Sequence, residues 1–196
     1  VRRASWHAMC SFMVASKNIT KKHKPIFKDC LERCKDDNIR QILIVYWGDI
    51  LMRFPNEVED LNSSIFEFLN GDSRMLKSSA LKTLSMIILA DMLKPTDQIV
   101  KMAELIVDED DEIKNLTKIF FIQISNKDNQ NIYNYLTDVI SINAGSKSHV
   151  TEEQFQEMII FFFSLLEKTK STESLVKKIC DRFLSSKYVF VYFCFI

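Results

Sequence analysis

A short phrase that returns four times constrains this chain more than any other feature. An apolar residue is followed by a basic one at the start of a helical pattern, and the basic residues are 38, 37 and 37 positions apart. A fixed period of roughly 20–50 residues indicates a stacked repeat array, because one helix pair cannot bury its apolar face without neighbours. The four copies are Val1-Arg2, Ile39-Arg40, Leu76-Lys77 and Ile113-Lys114.

The length of the period selects the type of repeat. It exceeds the roughly 34 residues of a tetratricopeptide unit and lies slightly under the usual HEAT spacing of about 40–47 residues. The 196 residues include only three Gly and three Pro, which favours long helices over a sheet protein with many turns. We therefore predict an all-α fold, an α-solenoid of HEAT repeats with about four to five helix pairs over residues 1–186.

The end of the chain breaks this pattern. Residues 188–196 are all apolar, and such a run of aromatic and β-branched residues is typical of a buried strand or an aggregation-prone segment. The run is too short to span a bilayer, which takes about 20 residues. We treat residues 187–196 as a separate tail, for which a gene-model or splice artefact is one explanation.

Because the chain starts with Val1 in mid-pattern, we expect it to be a segment of a larger protein.

Lysine and arginine are concentrated at the two ends of the chain. Residues 1–35 hold nine Lys/Arg and two Asp/Glu, a net charge of +7, and residues 168–196 hold six and two, a net charge of +4. The stretch between them is acidic, and the whole chain is neutral. This asymmetry suggests contact with a polyanion at particular places only.

Two basic clusters are therefore the candidate contacts with DNA or a partner. Lysine contacts to backbone phosphates do not depend on base sequence and weaken steeply with salt. A solvated helix face is the favoured alternative for each cluster. The first cluster is predicted to lie in a connector, residues 17–24, before a helix that Pro25 opens. The candidate residues are Lys21, Lys22, Lys24, Lys177, Lys178 and Arg182.

No catalytic, cofactor or metal site is predicted. The three glycines are too scattered for a phosphate-binding loop, and the three histidines lack a spaced partner. Cys30 and Cys34 lie one helical turn apart, but no further ligand pair completes a zinc site, so we expect buried, reduced thiols. The acidic run at 108–112 lacks the ligand spacing of a calcium loop and is predicted to cap a helix. We expect no cofactor and no enzymatic activity.

Local patterns also predict how helices meet and begin. Gly48 lies inside a predicted helix, where glycine costs about 1 kcal/mol against alanine. It is predicted to allow the close approach of a neighbouring helix, with a hinge as the alternative. Capping arrangements are predicted at two helix starts: Asn56 with Glu59, for a helix over 57–69, and Thr151 with Gln154.

Several stretches resemble the non-SMC subunit 1 family of condensin, in its condensin I form. The resemblance runs in order from Val1 to about Phe183 and corresponds to a C-terminal HEAT segment of that family. The matching stretches are residues 1–16, Gly48-Asp49 followed by 53–56, Phe120-Phe121, Ile132-Tyr133-Asn134, and 172–176 followed by Cys180, Arg182 and Phe183.

The resemblance implies a non-catalytic subunit of the condensin ring. Proteins of this family sit on the kleisin subunit, contact the SMC ATPases and DNA, and help to condense chromosomes in mitosis. ATP hydrolysis belongs to the SMC subunits. The implied location is the nucleus and chromosomes with a cytoplasmic pool, and no membrane is implied. The alternative is a HEAT adaptor or transport-receptor-like protein that binds only peptides through an acidic groove, since many unrelated proteins share the HEAT architecture.

Overall fold

Helices form all the regular secondary structure in the described part of the chain. The computed structural model describes residues 2–94, 98–127, 129–143, 150–166 and 177. Within these residues there are α-helices and 3-10 turns and no strand, which confirms the predicted all-α class. The chain divides into two compact units, Val1–Pro95 and Thr96–Ile196. None of the described helices is both long and apolar enough to cross a membrane.

The first unit is built on α3, which packs against both α1 and α6, while α2 covers α1 and α3. The apolar residue of the repeated phrase is buried in the first turn of α3 and again in α6, at Ile39 and Leu76. The elements are α1 (Arg2–Ala15), α2 (Lys17–Arg33), α3 (Asp37–Arg53), α4 (Pro55–Val58), a 3-10 turn (Glu59–Leu61), α5 (Asn62–Glu67), a second 3-10 turn (Phe68–Asn70) and α6 (Arg74–Leu89).

The predicted connector at residues 17–24 is wrong, because these residues form the first half of α2. The inward face of this segment is hard to recognise in the sequence, because it includes Thr20, a polar residue that is fully buried. Its hydroxyl donates a hydrogen bond at 2.7 Å to the carbonyl oxygen of Met13 in the last turn of α1, which also accepts from the Ser16 N–H at 3.2 Å. The lysines around Thr20 are good helix formers, so charge alone did not indicate a loop.

Pro25 is also placed differently from the prediction. It lies inside α2 and not in a first helical turn. A proline there lacks the N–H that would bond the Lys21 carbonyl, which costs about 3 kcal/mol in a helix interior. The burial of Phe27 and Leu31 in the second half of α2 offsets this cost.

The predicted helix over residues 57–69 is broken into short α-helical and 3-10 turns. The predicted cap at Asn56 with Glu59 is absent, since α4 begins with Pro55 in its first turn and has no side-chain cap. The apolar residues at helical spacing in this stretch are nevertheless all buried: Val58, Leu61, Ile65, Phe66 and Leu69. The α-helix is interrupted at Val58, whose backbone angles of φ −129° and ψ 8° lie outside the α-helical region.

Gly48 permits a close approach of α3 to α6, as predicted. The residue is fully enclosed, and a Cβ atom built on it would lie 2.5 Å from Thr83 Cγ2 of α6. Real Cβ atoms do not approach other carbons so closely, so the glycine is required by the packing of the two helices.

The second unit is organised around α9, which packs against α7, α8 and α10. Its largest fully buried side chains are Phe120, Phe121 and Phe162. The repeated phrase again buries its apolar residue, Ile113, in the first turn of α8. The elements are α7 (Ile99–Glu104), a 3-10 turn (Leu105–Val107), α8 (Asp111–Lys127), α9 (Asn129–Asn143) and α10 (Glu152–Leu165).

Two predicted helix starts in this unit are confirmed. In the acidic run, Asp110 Oδ1 accepts hydrogen bonds from the backbone N–H groups of Glu112 and Ile113 at 2.9 and 3.3 Å. Thr151 and Gln154 form a complete capping box at the start of α10. Both arrangements satisfy N–H groups that the first helical turn leaves without partners.

Candidate partner interface

The N-terminal basic cluster lies on α2 and faces acidic residues of the next repeat. The Nζ atoms of Lys17 and Lys21 lie 3.3 and 3.7 Å from Glu57 Oε1, in α4. Lys24 forms an ion pair with Asp60, in the 3-10 turn that follows α4. The cluster therefore joins two successive repeats as well as presenting positive charge to solvent.

The ion pairs change how this cluster can act on a partner. Lys17 and Lys21 keep 55% and 57% of their side-chain surface exposed, and exposed pairs of this kind contribute only about 0–1 kcal/mol. They remain accessible, but Glu57 offsets part of their charge. Lys22 is exposed and makes no ion pair with any residue that the structure describes. It is the candidate lysine of this cluster whose charge is not offset.

Sequence reasoning missed Glu57 and Asp60 as the partners of these lysines. A usable signal was present, because Lys21 to Glu57 and Lys24 to Asp60 are each separated by 36 positions, close to one repeat. Opposite charges one repeat apart lie on neighbouring units of a stacked array, so this spacing predicts contacts between repeats.

The C-terminal basic cluster falls mostly outside the described residues. Lys177 is helical and exposed. Lys178 and Arg182 lie outside the part of the chain that the structure describes, as does the apolar tail at 187–196.

A groove of about 360 Å³ lies within the first unit, between the ends of α2 and α5 and the starts of α3 and α6. Its base holds Arg40, whose guanidinium lies 4.6 Å from the centre of the Phe68 ring and whose Nε donates to the Leu31 carbonyl oxygen at 3.2 Å. The carboxylates of Glu32 and Glu67 line the groove with that of Asp72. The groove is acidic at its rim and partly apolar at its base, a combination that suits a peptide carrying a basic side chain.

Cys30, one of the two cysteines that were considered for zinc, lies in an environment that disfavours its thiolate. Burial raises the pKa of the Cys30 thiol to about 12, and the nearby Cys34 contributes in the same direction. Burial likewise raises the pKa of Cys10 to about 12. Both environments favour the neutral thiol over the thiolate. No group of three potential metal ligands occurs among the described residues.

Helices about one repeat apart in the sequence pack side by side within each unit. This arrangement defines the class of protein, a helical repeat protein of HEAT type. The sequence profile of the family described as non-SMC mitotic condensation complex subunit 1 matches residues 38–192. The chain belongs to this family, which confirms the family and the HEAT-type fold inferred from the repeat.

Proteins named as condensin subunits are similar to most of this chain. The chain is similar to condensin complex subunit 1 of Xenopus laevis, at 33% identity over 180 residues, which is 92% of this chain and 13% of that protein. The human condensin complex subunit 1 is 36% identical over 157 residues, 80% of this chain and 11% of that protein. Condensin-1 complex subunit CAP-D2 of Arabidopsis thaliana is 30% identical over 176 residues. The chain thus spans roughly an eighth of the length of these relatives.

Proposed function

We propose that this chain is a segment of a non-catalytic HEAT-repeat subunit of condensin, which scaffolds contacts among the kleisin subunit, the SMC ATPases and DNA during mitotic chromosome condensation. The match of residues 38–192 to the condensin subunit 1 family carries this proposal. The location that follows is the nucleus and chromosomes, with a cytoplasmic pool. A stacked helical array suits a scaffold, because each repeat offers surface to partners while its neighbours supply the core.

Reconstitution tests the scaffold role. The full-length parent protein, mixed with recombinant kleisin and both SMC ATPases, is expected to elute with them as one complex in size-exclusion chromatography. Separate elution of the parent protein at micromolar concentrations contradicts the proposal. ATP hydrolysis by the mixture is expected to require the SMC subunits and not the parent protein.

We further propose that the two basic clusters contact the DNA backbone. Exposed Lys22 supports this proposal for the first cluster, since no ion pair among the described residues offsets its charge. In the second cluster, Lys177 is exposed. Charge reversal at Lys21, Lys22, Lys177 and Lys178 is expected to weaken duplex binding by the full-length protein. The dependence of affinity on salt is expected to become shallower too, by about one unit of slope for each phosphate that is no longer neutralised.

Glu57 provides a sharper test of the first cluster. The substitution Glu57→Gln removes the carboxylate that faces Lys17 and Lys21, so it is expected to raise duplex affinity, whereas Lys22→Glu lowers it. Glu59→Gln is the matched control, because it removes the same charge from an exposed residue two positions away that pairs with none of these lysines. Equal affinities for all three variants in gel-shift titrations show that the cluster only joins repeats.

A further inference from the structure

The three parallel helices of the first unit hold a fixed register. Tyr46 of α3 places its hydroxyl 3.4 Å from His7 Nδ1 and 3.0 Å from Ser11 Oγ of α1, residues 39 and 35 positions earlier. On the other side of α3, Gln41 Nε2 donates to Ser79 Oγ of α6 at 2.9 Å, 38 positions later. Residues about 37 positions apart therefore lie side by side across α1, α3 and α6.

This register gathers exposed apolar side chains into one patch. Phe12, Asp49 and Met86 are 37 positions apart and form one row across the three helices. The Cε atom of Met86 lies 3.8 Å from a Cβ built on Gly48, directly beside Asp49. Val45 and Met52 lie one turn before and after Asp49 on α3, on the same helix face. We name these five residues the Asp49 patch.

The four apolar members of the patch are unusually open to solvent. Phe12 is 63% exposed, Val45 and Met86 are each 47% exposed, and Met52 is 41% exposed. Single exposed apolar residues are ordinary, but a group that the register places together on three neighbouring helices is typical of a binding surface.

Asp49 determines the chemistry that this surface accepts. It makes no hydrogen bond or ion pair with any residue in the described part of the chain, so it does not serve the packing of the unit. The apolar surroundings partly desolvate the carboxylate and raise the pKa of Asp49 above its usual value. A lysine or arginine placed here gains a charge-assisted hydrogen bond, while a phosphate backbone or an anionic membrane surface is repelled.

We propose that the Asp49 patch docks a segment of a partner subunit that presents apolar side chains around one lysine or arginine. The inference rests on the proposed scaffold role and adds the site and the chemistry of one contact. The apolar side chains supply the buried area, and the pairing of the cation with Asp49 fixes the register of the segment.

A photo-crosslinking residue in the reconstituted complex locates the occupant. The crosslinker replaces Phe12 or Met86 in the full-length protein. Ile26 is the matched control position, because it is an apolar residue with 56% exposure that lies on α2 and outside the patch. The expected result is a crosslink from Phe12 and Met86, but not from Ile26, to a stretch of another subunit that contains a basic residue flanked by apolar ones.

Charge exchange then tests the pairing. Asp49→Lys is expected to weaken binding of that subunit about tenfold or more, and reversal of the crosslinked basic residue to glutamate is expected to restore it. Asp49 is exposed, so the substitution leaves the fold intact, which circular dichroism verifies. Failure of the reversal to restore binding overturns the pairing.

The outcomes separate this inference from the scaffold role. Crosslinks from the patch to the parent chain itself or to a second copy overturn the inference, as does an assembled complex without patch crosslinks. If the wild-type parent protein does not assemble with kleisin and SMC subunits, the scaffold role fails instead.

Discussion

The two units join successive repeats in opposite ways. In the first unit, α3 meets α6 at Gly48, where the absence of a side chain lets Thr83 approach the backbone. In the second unit, α8 meets α10 through rings: Phe121 and Phe162 pack edge to face with centroids 4.9 Å apart. One repeat pattern thus tolerates both a close contact between backbones and a contact filled by aromatic side chains. What the repeat fixes is the register of the helices, and side-chain size sets how they meet.

The largest expected effect is in the aromatic contact. Phe162→Ala removes a fully buried ring and is expected to destabilise the second unit by about 3–5 kcal/mol, through reduced burial and the cavity left behind. Hydrogen exchange of the amides in α8 and α10 measures this locally. Phe163→Ala is the control, because this residue is 47% exposed and the removal of its ring is expected to cost well under half as much. Equal decreases in protection contradict the aromatic contact.

Substitution at the glycine contact is expected to change the free energy of unfolding less than the loss of Phe162. The sign of the change is expected to depend on the residue at position 83. Gly48→Ala forces its methyl group onto Thr83 Cγ2, an overpacking that costs about 1–3 kcal/mol, against a gain of about 1 kcal/mol in helix propensity. Thr83 is β-branched, so its methyl group cannot move aside easily. In the background Thr83→Ser, which lacks that methyl group, Gly48→Ala is expected to be neutral or stabilising. A urea-unfolding cycle that finds the two substitutions additive contradicts the close approach.

Ion pairs between repeats are expected to contribute less in both units. Glu57→Gln in the first unit and Glu157→Gln, which releases Lys118 at 3.1 Å in the second, are each expected to cost at most about 1 kcal/mol. Both costs are expected to fall in 1 M salt, where screening acts over about 3 Å. Thermal unfolding at low and high salt measures this, and a cost that salt does not reduce points to packing.

The smallest expected effect on stability comes from the substitution Asp49→Asn. Because burial raises the pKa of Asp49 from 3.8, the folded state holds this proton more tightly than the unfolded state. The resulting stability is present below pH 3.8 and is lost as pH rises through the folded pKa. Asp49→Asn removes this dependence, so its melting temperature is expected to match that of the wild type near pH 3 and to exceed it slightly at pH 7. A variant less stable than the wild type at pH 7 indicates that the carboxylate has an internal partner.

The repeat period predicted the cores of both units well. Ile39, Leu76 and Ile113 are all buried, because the same place in each repeat meets the same packing environment. The capping box at Thr151 was also predicted correctly, because it depends only on two residues three positions apart in the sequence.

The surface was harder to predict than the core. Tyr46 has the helical spacing of an inward residue, three positions after Leu43 and four before Ile50, but it is only half-buried and uses its hydroxyl to contact α1. Met86 and Phe12 do not follow the spacing of the buried residues of α6 and α1, and both are exposed. Periodicity reports which residues share a face and not whether a neighbour covers it, so the Asp49 patch required the structure.

Affinity purification of the endogenous full-length parent protein from mitotic cells tests the central claim most directly. The tagged protein is isolated at physiological salt, and the proteins that accompany it are identified by mass spectrometry. A kleisin and two SMC ATPases are expected in comparable amounts. Recovery of cargo or coat proteins without SMC subunits contradicts it, and the peptide-binding adaptor role would then take its place.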